Sequence, residues 1–255
     1  MEFTRLIADQ IFPVLLIFAR VGTALMIMPG FGETFVPARL RLLIAVAIAF
    51  VMSGPLGPTL PSQPAGVSEL GLLIGGEVLV GAFIGTIARI MVSTMDTAGT
   101  IISTQTGLSS AQLFNPGFQT TGSIVGVMLT LLAVVLIFAT NLHHLLLMAV
   151  YDSYSLFRPG QQLATGDMAE LMGRVLSSSF LIALQLSAPF VILGLLFAIA
   201  LGVMAKLMPQ VQVFFVSMPI QLLGGIAIIG VVLSAAMLWF LRYFEDGMHA
   251  YLLPR

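Results

Sequence analysis

Charge is what this sequence has least of. Only 8% of its 255 residues are Asp, Glu, Lys or Arg, against roughly a quarter in a soluble domain, which excludes an ordinary soluble enzyme. The net charge of −1 carries no block of like charges, so neither a nucleic-acid partner nor a polybasic lipid-binding tail is indicated. Cysteine is absent, which removes disulfides, thiol nucleophiles and thiolate metal sites. There is no GxGxxG phosphate loop, and no Ser-His-Asp set or pair of catalytic acids in a workable arrangement; the glycines stand at helix-packing spacings rather than strand-to-helix turns. Neither catalysis nor a cofactor is expected. The N-terminal MEFTRLIADQ lacks a basic n-region and Arg20 interrupts the first apolar run, so no cleaved signal peptide is expected.

Apolar residues are abundant, at 58% of the chain, and they recur in runs long enough for membrane-spanning helices. Six such segments cover residues 11–28, 40–53, 70–103, 122–151, 171–208 and 213–241. The fold class is all-α, a polytopic helical membrane protein of one structural unit, residues 1–255, with six crossings and no connection large enough for a soluble domain. Three segments are too long for their task. About 34, 30 and 38 residues give helices of about 51, 45 and 57 Å, against a hydrocarbon core of about 30 Å. Either they break into hairpins or half-helices, with Gly99 and Pro189 the candidate points, or they pack against protein rather than lipid.

Within the third segment, Gly71 and Gly75, then Gly81 and Gly85, stand four residues apart, with Glu77 between the pairs. Small residues at that spacing let two helix backbones approach closely, so this helix is expected to carry a packing interface. A carboxylate facing lipid there costs at least about 2.5 kcal/mol. Glu77 is therefore paired, protonated or beside water. The favoured account is a polar clamp with Arg20 or Arg89; the other is a proton or ion site. In the fourth segment, Asn141, His143 and His144 point to hydrogen bonding across helices, because adjacent histidines lack the i, i+4 spacing of helical metal ligands.

Between the third and fourth segments lies QTGLSSAQLFNPGFQTTG, residues 105–122. Asp96 and Asp152 bracket a span with no Asp, Glu, Lys or Arg at all. Uncharged amides and hydroxyls suit non-helical backbone at membrane depth, which survives only when buried in protein or lining an aqueous cavity. Asn115, Pro116 and Gly117 supply a turn. Leu113, Phe114 and Phe118 around it are candidates for an apolar constriction that gates by dewetting. A turn whose phenylalanines dip into the bilayer interface accounts for the same residues equally well.

Several stretches taken together resemble a known family. FARVGTALMIMPGFGETFVPARLRLLIAVAIA, GGEVLVGAFIG, the Gln-rich loop, FATNLHHLLLMAVYDSYSLF and KLMPQVQVFFVSMPIQLLGGI are similar, in this order and over essentially the whole chain, to the FliR/SctT family. Its members are export-apparatus subunits of bacterial flagella and type III secretion systems. The resemblance implies a non-enzymatic subunit of a flagellar export gate in the bacterial inner membrane, raised in part toward the periplasm. FliP-like and FliQ-like subunits would complete a helical hetero-oligomer, FlhB-like and FlhA-like components would dock on it, and unfolded exported proteins would pass through. It also implies a FliP-like part at 1–170 and a FliQ-like helical hairpin at 171–255. The loop at 107–120 becomes the pore plug, with Phe114 foremost. Pro209, Gln210, Gln212 and Pro219 fall at the hairpin turn, where the prolines stop and restart the helix. The alternatives are a virulence-type SctT subunit and a proton-coupled small-molecule transporter using Glu77.

Overall fold

The computed structural model describes residues 2–64, 66–109, 123–161, 163–207 and 213–253, without the side chains of 2–10 and 213–216. These residues are all-α: α1 (Glu2–Ile27), α2 (Ala38–Leu56) with a short 3-10 turn (Gly57–Thr59), α3 (Val67–Gln105), α4 (Ile124–Ala139), α5 (His143–Leu156), α6 (Thr165–Leu207) and α7 (Val213–Tyr251). Four stretches are long and apolar enough to cross a membrane: Ala38–Thr59, Val67–Gln105, Thr165–Leu207 and Ser217–Tyr251. The bent pair α4 and α5 adds a fifth if it crosses as one span. The protein is a multi-pass helical membrane protein, but the expected six crossings become four or five among the described residues. Ile11–Ile27 is the difference, because this apolar part of α1 falls short of spanning length.

The chain divides into two compact units, one within Met1–Met91, Ile137–Val175 and Phe244–Arg255, the other within Val92–Leu136 and Leu176–Tyr243. In the first unit α1 packs on α2. The inward stripe of α1 is Ile17, Val21, Ala24 and Leu25, all buried and continued by buried Met28 just past its end, the helical repeat of an amphipathic face. Ala45 and Ala49 are the buried positions in the middle of α2, while Leu43, Phe50 and Val51 stand exposed. The second unit buries Met95, Ala98 and Ile102 of α3, Val125 and Leu129 of α4, and Leu186 and Phe190 of α6.

Breaks do not occur where the sequence suggests them. α3 runs unbroken through Gly99 and α6 through Pro189. Gly99 is a contact and not a hinge: a Cβ there would strike the Gly126 backbone of α4, so its missing side chain lets two helices touch. The break falls instead at residues 140–142, where α4 and α5 meet at 75°. Asn141 turns the chain with a φ of 62°, a left-handed conformation that Asn tolerates better than most residues. The rings of Phe138 and His143 stack across the bend with centroids 4.9 Å apart, and His144 lies 4.3 Å from His143. Phe31 packs on Phe138 at 5.3 Å. Gly30, with a φ of 83°, leaves the space that ring occupies. These ring contacts are what the two histidines contribute among the described residues, where the cross-helix hydrogen bonds expected of them are not found.

The two glycine pairs of α3 also separate. A Cβ on Gly81 would meet the Arg20 carbonyl, and one on Gly85 the Ala24 carbonyl and Ile27, whereas Gly71 and Gly75 have nothing within 4 Å. Among the described residues only the second pair is a helix contact within this chain. Gly81→Ala is accordingly expected to cost about 1–3 kcal/mol through overpacking, and Gly75→Ala to be neutral or slightly stabilising through helix propensity. Unfolding of the isolated protein in detergent measures both; equal effects would contradict this contact.

Candidate functional site

The contacts Gly81 to Arg20 and Gly85 to Ala24 advance in the same sense along both helices, so α1 and α3 run parallel where they touch. A side chain leaves an α-helix tilted toward its N-terminus. From a backbone resting on Gly81, Arg20 therefore reaches the position one turn earlier on α3, and that residue is Glu77. The pair is bidentate, with Nε donating to Glu77 Oε2 at 2.7 Å and Nη2 to Oε1 at 3.0 Å. Nη1 donates to Ser153 Oγ at 2.9 Å, and Nη2 also to the Phe157 carbonyl at 2.8 Å. The Tyr154 ring lies 3.8 Å from the guanidinium carbon, within cation–π range. Ser153 Oγ donates onward to the Val150 carbonyl at 2.6 Å.

Arg20 is 1% exposed and Glu77 2%. Planar, forked donors matched to a carboxylate make the strongest kind of ion pair, and the remaining donors are directed at α5 and the chain just after it. One arginine thus joins α1, α3 and α5. The pair forms part of the wall of a cavity of about 550 Å³, which Glu69, Gly76 and Arg158 also line. Arg89, the other proposed partner, is twelve residues from Glu77, roughly 18 Å along the helix. It is half-exposed and meets Glu33 at 3.5 Å and the Ile27 carbonyl at 3.4 Å. The clamp is with Arg20. Sequence reasoning does not single out Ser153, Tyr154 and Phe157; their signal is a polar patch, Asp152 to Ser155, closing an apolar helix.

Residues Leu113, Phe114, Asn115, Pro116, Gly117 and Phe118 of the loop lie outside the described residues, as do Pro209, Gln210 and Gln212 of the hairpin turn. Pro219 lies inside α7, which is already helical at Val213, so it does not restart the helix. What is described is the stem of the loop, all within the second unit. Gln221 Nε2 of α7 donates to the Gln105 carbonyl at the end of α3, at 2.7 Å. The Gln105 side chain lies against Gly194 of α6, and Thr106 against Gly225 of α7. Two glycines on two other helices make room for the first residues of the loop, and an amide satisfies a carbonyl that the helix end leaves open. Nothing in the sequence singles out Gln221, since an amide after MPQVQVFFVSMPI reads as one more polar residue of the turn.

Removing one partner of a buried ion pair leaves an uncompensated charge, at a cost of about 3–5 kcal/mol, whereas replacing both by apolar residues of similar volume costs far less. Arg20→Met is expected to lower unfolding stability by that amount, and Arg20→Met with Glu77→Met to recover much of it, in detergent-solubilised protein. A double variant no more stable than the single one would show that the two side chains are not coupled.

Against known proteins, residues 11–247 match the family described as bacterial export proteins, family 1. The flagellar biosynthetic protein FliR of Caulobacter vibrioides is 37% identical over 239 residues, 93% of this chain and 95% of that protein. The FliR of Bacillus subtilis is 31% identical over 219 residues, 84% and 83% of the two chains. Yop proteins translocation protein T of Yersinia pestis is 30% identical over 172 residues, 64% and 65% of the two. With a match that takes in the Arg20–Glu77 clamp, the loop stem and nearly every helix, the chain belongs to the bacterial export proteins of family 1.

Proposed function

We propose that this protein is a subunit of the flagellar type III export gate, forming with FliP-like and FliQ-like subunits the channel for export of unfolded flagellar proteins. The family match over residues 11–247 carries this proposal. The helices support it. α6 and α7 have 43 and 39 residues, about 64 and 58 Å, and the most apolar stretches of each are only 6% and 11% buried. A hydrocarbon core of about 30 Å covers half of such surface at most. The remainder calls for protein, which fits a member of a helical hetero-oligomer whose body rises partly toward the periplasm. The subunit acts without catalysis, in the bacterial inner membrane at the flagellar basal body, where FlhB-like and FlhA-like components dock. Residues 1–170 take the FliP-like role and 171–255 the FliQ-like hairpin. Residues 107–120 form the plug, held at the stem by Gln221.

A virulence-type role draws support from the Yersinia relative, but that likeness covers 64% of the chain against 93% for the Caulobacter FliR. Restored motility of a strain lacking its own subunit separates the two. Use of Glu77 as the coupling acid of a small-molecule transporter is disfavoured by its bidentate bond to Arg20. Glu77→Gln keeps an acceptor for Arg20 but leaves its charge uncompensated, so it is expected to lower stability while preserving secretion by the complex that does assemble; abolished secretion in a normally assembled complex would point to a charge-dependent role.

Co-production with tagged FliP-like and FliQ-like subunits is expected to give one co-purifying complex. Recovery of a stable monomer that transports small molecules in liposomes would sink the proposal. Deleting residues 110–119 is expected to make membranes holding the complex leaky to small ions. Unchanged conductance with normal assembly would remove the plug role from this loop.

A further inference from the structure

α3 changes the character of its surface along its length. Its first half exposes Leu72, Val78 and Leu79, as expected of a helix facing lipid or other apolar surface. From Met91 to Gln105 the exposed residues are Ser93, Asp96, Thr100 and Thr104, all of them polar. Met95, Ala98 and Ile102 hold the opposite, buried side. The exposed surface of the other helices of this unit is mainly apolar: α4 exposes Leu131 and Val135, α6 Leu195 and Ile199, and α7 Val231, with Ser177, Gln185, Lys206, Ser234 and Arg242 exposed singly among them. A run of four exposed polar residues on one helix face, about 17 Å long, occurs on no other described helix of this unit.

Asp96 decides what that face meets. Its carboxylate makes no ion pair or hydrogen bond with any described residue, and the loop residues 110–122 contain no Lys, Arg or His. It lies beside Gly126 in the first turn of α4, but the Gly126 N–H is taken by Ser123 Oγ at 2.8 Å. An exposed carboxylate with no cationic partner among the described residues is costly against lipid, so it needs water or a cation. The hydroxyls favour water. Thr97, Thr100 and Thr104 each donate to the carbonyl one turn back, at 3.1, 2.9 and 2.9 Å. They demand no donor or acceptor from a partner and offer spare lone pairs to solvent. Such a wall gives a passing chain neither an apolar surface to adhere to nor an unsatisfied donor to capture it.

We propose that the Ser93, Asp96, Thr100 and Thr104 face of α3 lines the aqueous passage of the assembled apparatus, where the Asp96 carboxylate favours cationic over anionic segments of the passing chain. This rests on the export-channel reading. The face ends at Gln105, the residue whose carbonyl Gln221 holds, so the passage wall and the loop stem are continuous on one helix.

The absence of native cysteine makes the test direct. Ser93→Cys, Thr100→Cys and Thr104→Cys are introduced singly into the full chain, in membranes holding the complex, and exposed to membrane-impermeant methanethiosulfonates. Ala98→Cys and Ile102→Cys report the buried side, and Leu131→Cys and Val135→Cys the exposed apolar side. The three polar-face positions are expected to label under conditions that leave the four comparators unmodified. At low ionic strength a charge one helical turn away, about 6 Å, changes the local concentration of a monovalent reagent about threefold in each direction. Thr100→Cys should therefore react about tenfold faster with a cationic than with an anionic reagent, relative to a free thiol. Adding Asp96→Asn should bring that ratio close to one. A complex that co-purifies with its partners yet shows an unlabelled polar face, labelling equal to that of Leu131→Cys, or a charge ratio indifferent to Asp96→Asn overturns this inference alone. Failure to co-purify overturns the export-channel reading beneath it.

Discussion

A single buried arginine sets the arrangement of the first unit. Arg20 sits on a short apolar helix, and leaving its charge unpaired inside the protein would cost more than most single contacts return. Everything needed to avoid that is supplied by neighbouring elements. Gly81 lets α3 come close enough, Glu77 one turn away accepts two hydrogen bonds, and Ser153 and the Phe157 carbonyl take two more. The requirement acts on helix direction as well as contact, because the side chain reaches Glu77 when α1 and α3 run parallel. A hydrophobic stripe alone tolerates sliding and rotation; a bidentate ion pair does not. Conformational specificity is the role this geometry suits, as in other proteins where buried polar groups fix register.

The second unit obeys a different constraint, set by its surroundings. α6 and α7 carry long apolar faces that nothing among the described residues covers, and their lengths exceed what a bilayer hides. Close approach at Gly99 and Gly126, and the seating of Gln105 and Thr106 on Gly194 and Gly225, hold the end of α3 against three other helices. Rigid support at the stem of an uncharged loop is what the proposed plug role requires. Apolar surface outward and a polar strip on α3 give this unit two chemically distinct sides, one suited to protein or lipid and one to water.

Much of this is legible in the amino-acid sequence. Low charge and long apolar runs identify a polytopic membrane protein because burying backbone in lipid permits few alternatives. The misplaced Glu77 demands a partner on energetic grounds alone, and Arg20 is one of two candidates. Distance along a helix separates them: Arg89 shares α3 with Glu77, three turns away, and a rigid helix cannot bring the two together. The break at Asn141 is hidden because residues 122–151 read as one apolar run, and one residue with positive φ interrupts a helix without altering hydropathy. Gly99 reads as a weakness for the converse reason. A helical glycine looks the same in sequence whether it loosens a helix or admits a neighbour.

The sequence by itself determined the class, the family likeness and the need for Glu77 to be paired, protonated or beside water, since composition, motif order and the cost of a lone buried charge are properties of the chain. Tertiary structure decided which arginine closes the clamp, which glycines are contacts, where the bend falls and which face of α3 is polar outward. Those depend on what each side chain meets across space. A helical period of 3.6 residues says which residues share a face; only the packing says which face is covered.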